Sequence, residues 1–234
     1  MDKKDEKPPL ILLEGISKSY TEGDVVHQVL KSVDAEFAEG ECIALLGRSG
    51  SGKSTILNLV SGIDKPDGGR IVIGGVDITT MNEHKRTLFR RKNIGFIYQF
   101  FNLIPTLTVL ENVRLPLELN GDNCSARALE LLDEVGLLDR KGDYPDRLSG
   151  GEQQRVAIIR ALVHDPMIIL ADEPTGNIDK ETGHSIMDIM ERLIRQKNKN
   201  LIMVTHSKEV ARFADRLLLL EEGVLKKQSR EITW

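Results

Sequence analysis

The sequence predicts an α/β fold, a mostly parallel sheet covered by helices on both faces, and three observations lead there. After Gly150, apolar strand-like runs alternate with helix-periodic stretches, the order that a sheet with crossover helices requires. Glycine pairs and short apolar runs instead dominate the first 76 residues, which read as short strands joined by turns. With 234 residues, 40% of them hydrophobic, the chain can bury a core without disulfides or a structural metal.

Taken in order, the opening MDKKDEKPPL is charged and proline-containing and is expected to be a flexible tail over residues 1–9. No apolar stretch lies within it, so no secretory signal is expected. Strands are expected at Leu10–Leu13, Val29–Phe37, Glu41–Leu46 and Arg70–Ile73, with Gly68–Gly69 and Gly74–Gly75 as turns. The basic run from Lys85 to Lys92 reads as a solvated helix face. From Thr108 to Gly136 the pattern becomes helical: Ala128, Leu131, Leu132 and Val135 fall on one face, and Ser125 is a plausible cap. Further on come a helix over Gly151–His164, a strand over Met167–Ala171, a helix marked by Ile186, Ile189, Met190 and Leu193, and a strand over Leu201–Thr205. Two strands around Glu221–Glu222–Gly223 complete the series between Arg216 and Lys227.

Composition narrows the function classes. No apolar run approaches the roughly 18–20 residues that span a bilayer. A net charge of −4 offers no general attraction to nucleic acid, so no nucleic-acid partner is expected. Cys42 and Cys124 stand in no metal-like spacing and read as ordinary residues of a protein in a reducing compartment.

The chemistry is concentrated in three short motifs. Gly47 to Ser54, GRSGSGKS, follows an apolar strand and precedes a helix-compatible TILNLV. Gly47, Gly50 and Gly52 let the backbone turn tightly and present N–H groups to phosphate oxygens, and the helix that follows adds its positive end. Lys53 then falls at the β- and γ-phosphates and the Ser54 hydroxyl at Mg²⁺; Ser49 and Thr55 complete the candidate nucleotide contacts. The second motif is the apolar strand ending in Asp172–Glu173, at the end of a sheet strand where open α/β sheets bind ligands. Asp172 is a natural Mg²⁺ partner, and Glu173 can polarise a water for in-line attack. The third is LSGGEQ, Leu148 to Gln153. Ser149 can cap the helix that follows, and Gly150 and Gly151 leave bare N–H groups at its positive end. Two phosphate grips in one subunit would over-provide for one nucleotide, so the second is expected to hold the ATP of a partner subunit.

These motifs, in this order, make the chain resemble the ATP-binding subunits of ABC transporters from about Leu10 to Lys227. The resemblance implies a RecA-like P-loop core with an N-terminal antiparallel β subdomain and a helical subdomain inserted at about residues 100–155, all within one ATPase domain over 10–234. It implies that Tyr20 stacks on adenine. Gln99, in IGFIYQ, would join the core to the helical segment and sense Mg²⁺ and the attacking water. Asp179, in PTGNID, would lie on the loop that crosses the dimer interface, and His206, in IMVTHS, would contact the γ-phosphate. It implies ATP and Mg²⁺ as ligands, a second copy or homologous ATPase as partner, and an integral membrane permease, with this chain held in the cytoplasm on the inner face of the cell membrane. The TGNID and FFNLIPTLTVLENVRLPLELNG stretches, and the ending soon after Lys227, are similar to the lipoprotein-release, macrolide-efflux and cell-division branch, which implies export or extraction of hydrophobic cargo. An ATPase of the same superfamily acting on DNA or ribosomes is the alternative.

Overall fold

The structure, a computed structural model, describes residues 8–228. The expected tail therefore lies almost wholly outside the described residues. The chain runs β1 (Ile11–Glu22), β2 (Val25–Phe37), β3 (Cys42–Leu46), α1 (Lys53–Val60), β4 (Gly68–Ile73), β5 (Val76–Asp77), α2 (Glu83–Asn93) and β6 (Ile94–Ile97). It continues with α3 (Val109–Leu119), α4 (Ala126–Glu134), α5 (Gly150–Leu162), β7 (Ile168–Asp172), α6 (Lys180–Gln196), β8 (Asn200–Val204), α7 (Lys208–Ala211), β9 (Arg216–Glu221) and β10 (Val224–Gln228).

The strands form two sheets. An antiparallel sheet has the order β2-β1-β4-β5; the larger sheet runs β10-β9-β3-β8-β7-β6. Neighbours from β9 to β6 pair in parallel, and β10 joins antiparallel at the edge. The β9–β10 turn works because Glu222 (φ 50°) and Gly223 (φ 82°) both take left-handed backbone, the geometry of a two-residue hairpin.

Strand β3 shows why the larger sheet lies in the centre. Cys42, Ala44 and Leu46 face one apolar cluster with α3, α4, α5 and α6, while Ile43 and Leu45 face a second with α1 and the antiparallel sheet. A strand covered on both faces must be apolar at every position, and this one is wholly buried. Burial pushes the Cys42 thiol up to about 11, so it stays an inert core group.

Several elements differ from the expectation. Strands β1 and β2 extend far beyond Leu13 and begin before Val29, because they continue as a two-stranded ribbon whose outer residues are exposed and carry no core pattern. The expected helical stretch 108–136 is two helices, separated by a turn at Asn120–Gly121. Thr108 and Glu111 form a reciprocal capping box on α3. Ser125 precedes α4 but makes no capping bond, because its own backbone is already helical (φ −86°, ψ −10°). The basic run is not simply solvated: Arg86 is buried against Glu83, and Arg90 donates to the Gly62 carbonyl at 3.0 Å. No helix among the described residues is long and apolar enough to cross a membrane.

Candidate nucleotide site

Four neighbouring strands of the larger sheet, β3, β8, β7 and β6, deliver the site from their carboxyl ends. The loop 47–52 leaves β3, Asp172 and Glu173 end and follow β7, Thr205 and His206 follow β8, and Gln99 follows β6. Ser49, Gly50 and Gly52 of the loop, Gln99, Asp172, Glu173 and His206 border one open cleft of about 700 Å³. It also takes in Tyr20, Val29, Lys53, Ser54, Thr55, Gly176 and Val204, while Gly47 and Thr205 lie just outside it. Residues spread over almost the whole chain thus meet at one sheet edge.

Lys53 is 6% exposed, and its ammonium donates to the Gly47 and Arg48 carbonyls at 2.8 Å each. Burial lowers its pKa, with Glu173 and Asp172 pulling the other way. Gly52, just before α1, has φ 102°, and a Cβ there would stand 2.5 Å from Val29 Cγ1. Neither the left-handed backbone nor the close approach of β2 admits a side chain. The Ser54 hydroxyl donates to Asp172 Oδ2 at 3.1 Å.

Glu173 is a non-glycine residue at φ 47°, held by its N–H bond to the Val204 carbonyl at 3.0 Å. Its Oε2 accepts weakly from the His206 N–H at 3.4 Å; Oε1 stands 3.2 Å from His206 Nε2 but has no aligned hydrogen-bond donor. Burial raises the Glu173 pKa above the ordinary carboxylate value, against the opposing pull of His206. This is the environment that keeps a carboxylate poised as a proton acceptor.

Past Gln99, Phe101 and Asn102 both take left-handed backbone, with Arg160 of α5 donating to their carbonyls at 2.8 and 2.6 Å. The Gln99 carbonyl itself accepts from Asn177 Nδ2 at 2.9 Å. The loop that carries Gln99 is therefore tied both to α5 and to the segment before α6.

Ser149, Gly151 and Asp179 do not border the cleft. Ser149 caps α5 in a reciprocal box with Glu152: its Oγ accepts from the Glu152 N–H at 3.3 Å, and its own N–H donates to Glu152 Oε2 at 2.8 Å. Gly151 has a packing reason that its motif did not reveal, since a Cβ there would stand 2.6 Å from Thr182 Cγ2 of α6. Asp179 caps α6, accepting from the Thr182 N–H at 3.0 Å, and that bond holds its carboxyl below the usual range. It lines an adjoining groove that shares Glu173, Gly176 and His206 with the cleft.

Tyr20 lies on the rim, 40% exposed, its hydroxyl donating to Asp64 Oδ2 at 2.9 Å. Sequence reasoning passed over Asp64, Val29 and Gly176. Gly176 lies within PTGNID but was not singled out there; Asp64 and Val29 carry no motif, and only the packing of β1 and β2 against α1 brings them to the site.

A strand, a glycine-rich loop and a helix that together hold a lysine and a serine beside a strand-end acid pair define a P-loop nucleotide-hydrolysing ATPase. The family model described as ABC transporter matches residues 30–176, and the chain belongs to that family as its ATP-binding, ATP-hydrolysing subunit. It is 53% identical over 222 residues to an uncharacterized ABC transporter ATP-binding protein of Mycobacterium tuberculosis, covering 94% of this chain and 90% of that one. The lipoprotein-releasing system ATP-binding protein LolD of Legionella pneumophila is 46% identical, over 92% of this chain and 96% of its own. Among solved structures, the ATP-binding cassette MJ0796 of Methanocaldococcus jannaschii, a dimer in a post-hydrolysis state bound to ADP and Pi, superposes with a TM-score of 0.86. That pair is 39% identical, over 95% of this chain and 100% of that one. An ATPase acting on DNA or ribosomes is not favoured.

Proposed function

We propose that two copies of this chain, or this chain and a homologous ATPase, clamp two ATP molecules head to tail and so drive a membrane permease. The observation that carries the reading is Glu173. Its half-buried carboxylate, facing His206, shares one cleft with Lys53, while the second anion grip at Ser149 opens elsewhere. One chain therefore supplies the phosphate loop, Ser49 to Thr55, with Tyr20 as the platform for the base. The other supplies Ser149 and Gly151 to the γ-phosphate. Asp179, on the groove that adjoins the cleft, belongs to the seam between the copies.

In this arrangement Lys53 exchanges its bonds to the loop carbonyls for the β- and γ-phosphates, Glu173 accepts the proton of the attacking water, and His206 holds the γ-phosphate. Gln99 orients the water and reports on the site to the helical segment. The Ser54 hydroxyl and Asp172 carboxylate fit Mg²⁺, which is held by one or two protein oxygens together with substrate phosphates and water. No cluster of three or more His, Cys, Asp or Glu among the described residues would form a cage of protein ligands alone, in keeping with that style of binding. Bound there, Mg²⁺ supplies positive charge against the phosphate oxygens.

The segment over about residues 100–155 acts as the helical subdomain that meets the permease. A groove of about 380 Å³ beside it, lined by Arg90, Tyr98, Leu115, Pro116, Leu119 and Arg160, together with the exposed Phe100, offers the docking surface. Through that partner the chain is held on the inner face of the membrane. The likeness to lipoprotein-release ATPases favours a hydrophobic, lipid-anchored cargo.

The test is Glu173→Gln. It should bind ATP, lose turnover by at least about a hundredfold, and run as a dimer on gel filtration with ATP but as a monomer with ADP. Turnover at the wild-type rate would refute the assignment of the base.

A further inference from the structure

Tyr20 is restrained on two sides by a single ion pair. Its hydroxyl donates to Asp64 Oδ2 at 2.9 Å, and the other carboxylate oxygen accepts from Lys18 Nζ at 2.8 Å. The Lys18 ammonium also donates to the Lys65 carbonyl at 2.7 Å and lies 3.8 Å from Asp67 Oδ1. It stands 5.1 Å from the centroid of the Tyr20 ring, because Lys18 and Tyr20, two apart on β1, share one face. Lys18 is only 9% exposed, unusual for a lysine on a strand that leads into an exposed ribbon.

The ion pair also bridges two parts of the fold. Lys18 and Tyr20 belong to the antiparallel sheet, whereas Asp64 lies just past α1, the helix that begins at the phosphate-gripping Lys53. The Asp64 N–H donates to the Asn58 carbonyl of α1 at 3.1 Å, which fixes this loop to that helix. Burial opposes the charge on Asp64, yet the bonds from Lys18, the Lys65 N–H and Tyr20 hold its carboxyl below the usual range. Burial raises the Tyr20 phenol; the Thr55 side chain beside the hydroxyl opposes the shift and Asp64 reinforces it.

We propose that Asp64 and Lys18 are positioning residues of the nucleotide site, clamping the Tyr20 ring at a set place relative to the phosphate loop so that the base meets a platform ordered beforehand. The proposal rests on Tyr20 being that platform. An exposed aromatic side chain that must be immobilised when ligand arrives weakens binding, and one already immobilised does not. The clamp therefore acts on affinity for the base-bearing part of the nucleotide and leaves the bond-breaking step alone.

The experiment compares the affinities of ATP and of tripolyphosphate, which lacks the base, for wild type, Tyr20→Ala, Tyr20→Phe, Asp64→Asn and Lys18→Met. Asp64→Asn keeps the shape but turns an N–H₂ or a neutral oxygen toward Lys18, and Tyr20→Phe keeps the ring but cuts the tether. Each should weaken ATP roughly three- to tenfold, raise KM with kcat retained, and leave tripolyphosphate binding unchanged. Combining Asp64→Asn with Tyr20→Phe should cost no more than Asp64→Asn alone, and Asp64→Glu should recover part of the loss. If Tyr20→Ala weakens ATP selectively while Asp64→Asn and Lys18→Met do not, the clamp is overturned and Tyr20 remains the platform. If Tyr20→Ala leaves ATP affinity unchanged, the assignment of Tyr20 falls and takes the clamp with it. Equal weakening of ATP and tripolyphosphate by Asp64→Asn would reduce that residue to general structural support and overturn the clamp as well.

Discussion

Glu173, the proposed base, combines two destabilising features in one residue. It sits in left-handed backbone, a conformation that costs a non-glycine residue on the order of 1–3 kcal/mol. Its carboxyl is also raised by burial. The sign follows from that direction. A carboxyl whose folded pKa exceeds its unfolded value adds stability at low pH, and that contribution is lost as pH rises through the folded value. At neutral pH the wild type carries the full cost of a buried charge, and the isosteric amide carries none. Glu173→Gln is therefore expected to melt above wild type at pH 7.5, with the gap narrowing as pH falls into the carboxylate range. A variant that melts lower at pH 7.5 would show that the His206 contact outweighs the desolvation.

Helix α5 shows how one element serves several tasks. Its capped first turn carries the end of LSGGEQ, its buried face packs on β6 and α6, and its Arg160 holds the loop of Gln99. The contact at Gly151 sets how closely α6 approaches. Gly151→Ala should cost about 1–3 kcal/mol in urea unfolding through overpacking against Thr182. Removing the offending methyl with Thr182→Ser in the same chain should return most of it, and no recovery would place the strain elsewhere. Just past α5, His164 Nε2 meets the Ile94 carbonyl at 3.2 Å, while its buried Nδ1 has no partner. Burial lowers its pKa; Asp165 pulls it up and Lys199 pushes it down. A histidine depressed on folding adds stability above its unfolded pKa, near about 6.5, and that stability is lost as pH falls toward the folded value. Wild type should thus lose more melting temperature between pH 7.5 and 5.5 than His164→Gln does. Equal losses would mean that the ring charges freely.

At the scale of the molecule, the proposed dimer draws its two phosphate grips from different chains, in keeping with a phosphate loop that borders the cleft and a Ser149–Gly151 turn that does not. This makes a mixing experiment decisive. Lys53→Ala removes a chain's own grip on the phosphates, and Ser149→Arg blocks the grip that it offers to a partner. Each alone should abolish hydrolysis. Mixed, they form dimers in which one site pairs an intact phosphate loop with an intact signature, and part of the wild-type rate should return. If the mixture stays as inactive as its components, the head-to-tail arrangement is wrong.

Much of the candidate cleft was legible in the sequence, because its lining comes in contiguous runs: GRSGSGKS and the acid pair after a buried strand each encode their geometry locally, and LSGGEQ encodes its own capped helix start. The central strands were legible for a similar reason, since burial on both faces demands an unbroken apolar run. What the sequence left open depended on partners far along the chain. The outer ribbon of β1 and β2 is solvent-exposed and has no pattern to read, and the break between α3 and α4 interrupts a periodicity that looked continuous. Arg90 looked solvated because the Gly62 carbonyl that receives it lies 28 residues back, and the side chain of Arg86 packs beside the same glycine. Tertiary structure alone decided that Asp64 meets Tyr20 and Lys18 across 44 and 46 residues, and that Gly151 must be bare to admit Thr182. Those juxtapositions follow from how the sheets and helices stack, and no local spacing of residues announces them.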